Sequence, residues 1–435
     1  MPRTLWTHAG QVLTIAPRGA NVERRGAHSS VRPAPRPSCP SAASLRFFCP
    51  ASEPADKKRE GTMTGLRKCL VAAVAAPAAF AAIFATAAAK DDPGKKLDPV
   101  TVRYGVLYAG GEYVPAAEGS PNKIMTGQIQ VEYFLPKNNT RKLPVVMIHG
   151  AWQTGVNFLS TPDGREGWAL NFVRQGYPVY VVDQPARGRS TYHPATNGPL
   201  SGSDTGAAQS RFTAPEKFEG NWPQAKKHTQ WPGTGLMGDK AFDQFFASQV
   251  ENAGNGEALT TAAVADLLDR IGPAIIMTHS QSGAYTWPIA DARPKLVKGI
   301  LAVEPSGPPV DGGKVWGVST TPLTYTPVVS DPSELQFEEV PATNPNLLPC
   351  KRQKRPARKL VNLQKIPTLI ITGEASYHAQ YDQCTARYLE QAGVPVDFIR
   401  LEKIGINGNG HMMMLEKNSA DIAAFMMMWA GQNVR

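Results

Sequence analysis

From about residue 99 onward, short β-branched runs alternate with longer stretches whose apolar positions recur at helical spacing. This alternation predicts an α/β fold, a mostly parallel sheet flanked by helices on both faces. Strands are expected near residues 100–108, 128–134, 145–148, 179–182, 274–278, 299–303, 368–372 and 396–401, about eight in all. Helices fit 167–174, 258–271, 283–292, 381–392 and 419–430. In the last of these, Ile422, Phe425, Met426 and Trp429 fall on one helical stripe, which reads as a buried face.

Two stretches break the alternation. Residues 184–256 are rich in Gly, Pro, Ser and Thr and carry Tyr192, Phe212, Trp222, Trp231, Phe242 and Phe245; residues 305–364 form the second excursion. Loops this long inside a domain usually cover or bind something, so both are expected to be cap-like insertions over one edge of the sheet, not separate domains. The basic run KRQKRPARK, Lys351 to Lys359, is expected to be a solvated surface.

The start of the chain follows a different logic. Residues 64–89 place Arg67 and Lys68 before an Ala-rich apolar run that ends in Ala-x-Ala spacing, the build of a secretory signal peptide. Met63 stands directly before it, so residues 1–62 are expected to be a mis-annotated or disordered extension, and 90–435 a single catalytic domain. The rival is a membrane anchor behind a disordered tail, disfavoured by the weak apolar run and by Asp91, Asp92, Pro93 and Gly94 after it. On this reading the protein is secreted or periplasmic. After cleavage only Cys350 and Cys384 of the five cysteines remain, and two cysteines in an exported domain are expected to pair.

Composition adds little beyond size: 435 residues, 42% hydrophobic and 19% charged, describe an enzyme-sized globular protein. The net charge of +10 does not point to nucleic acid, because 12 basic and 4 acidic residues lie in 1–89, leaving 34 and 32 beyond. GPPVDGGKV at 307–315 lacks P-loop spacing, and no H-E-x-x-H or C-x-x-C pair suggests a metal hydrolase.

The chemistry concentrates in three segments. PAIIMTHSQSGAYTW, residues 273–287, runs a buried strand into Ser280 and then a helix, with Thr278, Ser282 and Gly283 as the small residues that let a nucleophile elbow turn. Ser282 is a poorer nucleophile because it would sit one step into the helix. GINGNGHMMMLEKN places His411 in a Gly-rich loop after the last strand, where an imidazole can swing over the carboxyl edge as the base. VVMIHGAWQTG, residues 145–155, ends a strand in His149 and Gly150, so the backbone N–H of Ala151, with that of Gln281, can face a developing oxyanion. His149 is expected to shape that loop. Two carboxylates compete to orient His411: Glu304, after the sixth strand and followed by Pro305, is preferred, and Glu374, after the seventh, is the alternative acid.

Together, the strand-HG-A-W segment, VVDQPARGRS, the Ser280 elbow, EPSG and GNGHMMMLEKN resemble the α/β-hydrolase superfamily, most closely its bacterial esterase 713-like branch, over essentially residues 99–430. Thr278 and Ser282 stand where the usual elbow has Gly. The resemblance implies an eight-stranded sheet with a reversed second strand, a serine esterase mechanism, no cofactor or metal, and Glu304 as the acid. The expected function is an exported serine carboxylesterase acting on a small or medium hydrophobic ester, with no nucleic-acid partner and no stable membrane insertion after cleavage. The alternatives are a lactone or peptide hydrolase on the same scaffold and a secreted binding protein without catalysis.

Overall fold

The apolar runs VVMI and AIIMTH are buried at every position, which places them in the middle of a sheet covered on both sides. The computed structural model describes residues 11–15 and 97–435, all within one compact unit. Its main sheet has nine strands: β1 (Gln11–Ile15), β2 (Val100–Pro115), β3 (Lys123–Pro136), β4 (Val145–Ile148), β5 (Val179–Asp183), β6 (Ala274–His279), β7 (Val297–Val303), β8 (Thr368–Thr372) and β9 (Val396–Arg400). Their order is β1-β2-β3-β5-β4-β6-β7-β8-β9. From β5 to β9 all neighbours are parallel, while β3 runs antiparallel to both β2 and β5. β3 is thus the reversed strand that the family resemblance implies.

All eight expected strands are present; β2 and β3 extend beyond their expected ends to form a long hairpin. The ninth strand, β1, comes from a stretch expected to lie outside the fold. Its sequence QVLTI has strand propensity, and it pairs antiparallel with the edge that β2 would otherwise leave unpaired.

The larger helices are α1 (Trp168–Arg174), α2 (Lys240–Ala247), α3 (Gly256–Ile271), α4 (Gln281–Ala292), α5 (Asp382–Gln391) and α6 (Ser419–Asn433). α3 packs with α4, and α1 with α6, where Trp168 Nε1 donates to the Ser419 carbonyl at 2.8 Å. The stripe of Ile422, Phe425, Met426 and Trp429 is buried as its spacing predicts.

Because the central strands are parallel, their carboxyl ends open on one edge, and the chain after β4, β6, β7, β8 and β9 meets there. Within the first excursion, Leu200–Ser201 pairs with Asn252–Ala253. Four of its eight aromatic residues pack among themselves: Trp231 lies edge-on to Phe245, and Phe242 stacks on Phe246. In the second, Phe337–Val340 pairs with Cys350–Gln353, and the Cys350–Cys384 disulfide ties that ribbon to α5. The basic run is partly neutralised at the surface by Lys351–Asp311, Arg352–Glu338 and Arg358–Glu334 pairs.

Candidate active site

Ser280 follows β6 directly and caps α4 with φ 56° and ψ −119°, a left-handed conformation that a non-glycine residue adopts only under constraint. The constraint is visible: its N–H donates to the Val303 carbonyl at 3.1 Å, and its own carbonyl accepts from Gly283 and Ser306. Two glycines make the turn sterically feasible. A Cβ at Gly283 would lie 2.3 Å from Pro305 Cα, and one at Gly150 would lie 2.9 Å from Ser280 Cβ. Ser282 is fully buried, its hydroxyl bonded to the Ile148 carbonyl at 2.8 Å, and it serves the turn's packing. Thr278 is likewise consumed by a 2.6 Å bond to Thr286.

His411 and Glu304 are buried together, with Nδ1 2.5 Å from Oε2. Glu304 also accepts from Ser376 Oγ at 2.6 Å and from the Gly373 N–H at 2.7 Å, so three donors converge on it. Its φ of 44° is again left-handed. Burial, and after it the nearby Asp382 carboxylate, push the Glu304 carboxyl up, while the Ser376 and Gly373 bonds oppose that rise. Burial, then the imidazoles of His279 and His378 and the Arg211 guanidinium, hold His411 well below its ordinary value. With Nδ1–H given to Glu304, Nε2 is left as an acceptor.

Near that nitrogen stands a residue the sequence analysis missed. The Tyr377 hydroxyl lies 3.3 Å from His411 Nε2, on the wall of the cavity that Ser280 also lines. His378 stacks on His411 with ring centroids 4.7 Å apart and is itself held by Asp382 at 2.8 Å. His279 Nε2 reaches the His411 carbonyl at 3.0 Å, tying the loop to the elbow; burial drives its basicity down to about 3. The clue to His279 was its place beside Ser280. Tyr377 and His378, after β8, had no such local signal.

Gln281 is the first residue of α4, where an N–H has no partner within the helix, and Ala151 faces the same cavity. His149 takes the Gln184 N–H on Nε2 at 3.0 Å and contacts the Gly150 carbonyl through Nδ1 at 2.9 Å, and burial lowers it to about 3. It is therefore a neutral bracket for the loop. A second bracket, unforeseen, is the buried Arg187, which donates to the Gly150 carbonyl at 2.7 Å and to Gln281 Oε1 at 2.6 Å. One guanidinium thereby spans both segments whose N–H groups face the cavity. Adjacent Ala186 has φ 63° and Trp152 has φ 57°, so backbone strain gathers around this edge.

Glu374 is not brought to His411. It pairs with Lys227 at 2.9 Å and accepts the Gly408 N–H at 3.0 Å, which outweigh burial and keep its carboxyl low. Glu304, His378 and His411 offer potential metal-ligating atoms within 4.8 Å of one another. A cation there would have to break the His411–Glu304 bond, so this donor set fits a proton better than a metal.

Ser280, Gln281, Ala151 and His411 line one cavity of about 210 Å³, with Trp152, Gln153, Arg211, Phe212, Tyr377 and Tyr381 among its other walls. Phe212 stacks on His411 at 5.5 Å. Of the first excursion's eight aromatic residues only Phe212 is a wall of this cavity, while four pair within the excursion and Trp222 packs on Tyr377.

A left-handed serine at a strand-to-helix turn, a buried His–Glu pair beside it and a parallel sheet with one reversed strand define a hydrolase architecture. The chain belongs to the alpha/beta hydrolase family, whose model matches residues 145–425. It is similar to the protein named "Probable secreted lipase phiG" of Fungal sp. (strain ATCC 74256), 46% identical over 312 residues, which cover 69% of this chain and 85% of that one. Among solved structures, a novel bacterial esterase determined at atomic resolution is alike in fold, with a TM-score of 0.56 at 22% identity, covering 78% of this chain and 98% of that one. Among the described residues no helix is long and apolar enough to cross a membrane.

Proposed function

We propose that the chain is an exported serine hydrolase that cleaves carboxylic esters through an acyl-enzyme. The observation that carries this reading is the buried 2.5 Å His411–Glu304 contact behind the cavity that His411 lines together with Ser280, which a strained φ holds there. Ser280 Oγ gives its proton to His411 Nε2 and attacks the ester carbonyl; a Ser–His hydrogen bond of this kind often forms fully only when substrate is bound. The tetrahedral oxyanion is held by the N–H groups of Ala151 and Gln281. His411 returns the proton to the leaving alcohol, Glu304 keeps its ring in the required tautomer, and water repeats the cycle on the acyl-enzyme. The aromatic walls and the 46% identical relative named a lipase support an ester with an apolar part.

Ser280→Ala should abolish fluorophosphonate labelling and lower turnover of aryl esters by on the order of a thousand-fold or more while the protein stays folded. Labelling that persists, or maps to Ser282, refutes the assignment. Export rests on residues 63–89, read as a signal peptide, which lie outside the described residues; the relative named as secreted supports it. Intact mass of secreted material should give an N-terminus near Ala88 or Lys90, so that the mature sheet lacks β1 and begins at β2. A mature chain that retains residues before Met63 overturns that part.

A further inference from the structure

The cavity carries a cation that the mechanism above does not use. Arg211 lines it, its guanidinium carbon 4.6 Å above the Tyr377 ring and 6.0 Å from the Phe212 ring. The other arginines near this edge are committed: Arg187 to Gly150 and Gln281, and Arg189 to Glu132 and Asp183. By contrast, no carboxylate, carbonyl or hydroxyl among the described residues accepts a hydrogen bond from the Arg211 side chain. None of the residues lining the cavity is acidic, and Glu304 behind it is saturated by His411, Ser376 and Gly373.

The position is built. Arg211 and Phe212 sit in a π-helical turn, Gln209–Thr213, a rare geometry often found at functional sites. The turn is pinned by Asn221 Nδ2 on the Ser210 carbonyl at 2.8 Å and by Thr213 Oγ1 on the Gly235 carbonyl at 2.6 Å. One turn therefore sets an aromatic ring on His411 and a guanidinium on Tyr377. Arg211 adds, after burial and the two neighbouring imidazoles, to the forces that hold His411 neutral, and a bound carboxylate would offset that contribution.

Resting on the ester-hydrolase reading, we propose that the substrate carries a carboxylate, on its acyl or alcohol side, and that Arg211 anchors it while the aromatic walls take the apolar part. The side chain is exposed, so its donors are open, and seated on the Tyr377 ring it offers the paired N–H groups that a planar carboxylate accepts.

Two matched pairs test this: mono-4-nitrophenyl glutarate against 4-nitrophenyl pentanoate, and 4-carboxyphenyl butyrate against its methyl ester, each normalised to its alkaline hydrolysis rate. In at least one pair the carboxylate member should be preferred by roughly ten-fold in kcat/KM, the size of one exposed charge-assisted contact. The pair that responds identifies the side. Arg211→Met should erase the preference, Arg211→Lys should keep part of it, and added salt should weaken it. Circular dichroism checks that the variants fold. No preference in either pair, or a preference that survives in Arg211→Met, overturns the anchor. Ser280→Ala separates the two failures: turnover that persists in it sinks the esterase reading itself, whereas Ser280-dependent turnover without the preference sinks only the anchor.

Discussion

His411 and His228 are both buried and both hydrogen-bonded to carboxylates, yet their protonation runs in opposite directions. His411 meets one carboxylate, Glu304, and otherwise faces His279, His378 and Arg211; burial and these neighbours keep it neutral. His228 lies between Glu216 at 2.9 Å and Glu416 at 2.8 Å, and although burial opposes its charge, the two carboxylates raise it to about 9. Burial alone therefore does not decide whether a histidine acts as base or cation; the balance of charges around the ring does. The consequences differ as well. Glu416 also accepts from Asn409 and from the Gly410 N–H, directly before His411. The His228 imidazolium thus braces the first excursion against the loop that carries His411.

The largest effect expected from breaking this contrast falls on the His411 side. Glu304→Gln presents an amide N–H to Nδ1, forces the wrong tautomer and should lower kcat by roughly a hundred-fold to ten-thousand-fold with little change in KM. Steady-state kinetics checks it, and near wild-type turnover would return the acid role to Glu374.

On the other side the loss should be in stability. His228→Leu strands the buried Glu416 carboxylate and should cost about 3–5 kcal/mol in chemical denaturation. In the native protein the raised folded value of His228 contributes stability that is complete below its unfolded value near 6.5 and disappears as pH rises through about 9. The span is worth on the order of 3 kcal/mol. Unfolding free energies measured from pH 6 to pH 10 should fall across that window in wild type and stay flatter in His228→Leu; a flat wild-type profile would remove the imidazolium brace.

Glu374→Gln should show the smallest effect. Its partner Lys227 is more than half exposed, so the pair contributes at most about 1 kcal/mol, and kcat should change by less than about three-fold. A loss of turnover larger than that of Glu304→Gln would reverse the comparison.

Much of this is legible along the chain because the signals are local. β4 and β8 match their apolar runs residue for residue, and the order of strand, tight turn and helix is enough to mark Ser280. Pro305 and the rigid strand before it favour Glu304, which is the carboxylate that meets His411. Tyr377, His378 and Arg187 leave no comparable mark: each acts through partners 34 or more positions away or through packing, and no periodicity encodes such pairs. The aromatic count of residues 184–256 misleads in a different way, since composition does not say which rings face a cavity and which face each other.

The sequence by itself determined the order of elements, the reversed strand through family resemblance, the elbow at Ser280, the loop at His411 and the pairing of Cys350 with Cys384. Each depends on local turn chemistry, a short-range hydrophobic period or a count with few solutions. Only the tertiary structure decided that Tyr377, His378 and Arg187 join the site, which histidine is neutral and which charged, and that Arg211 faces the cavity without a carboxylate partner. Those outcomes depend on strand order and on charges converging from distant segments, and electrostatic balance in a buried site is set by everything within a few ångströms of it in space, whatever the distance along the chain.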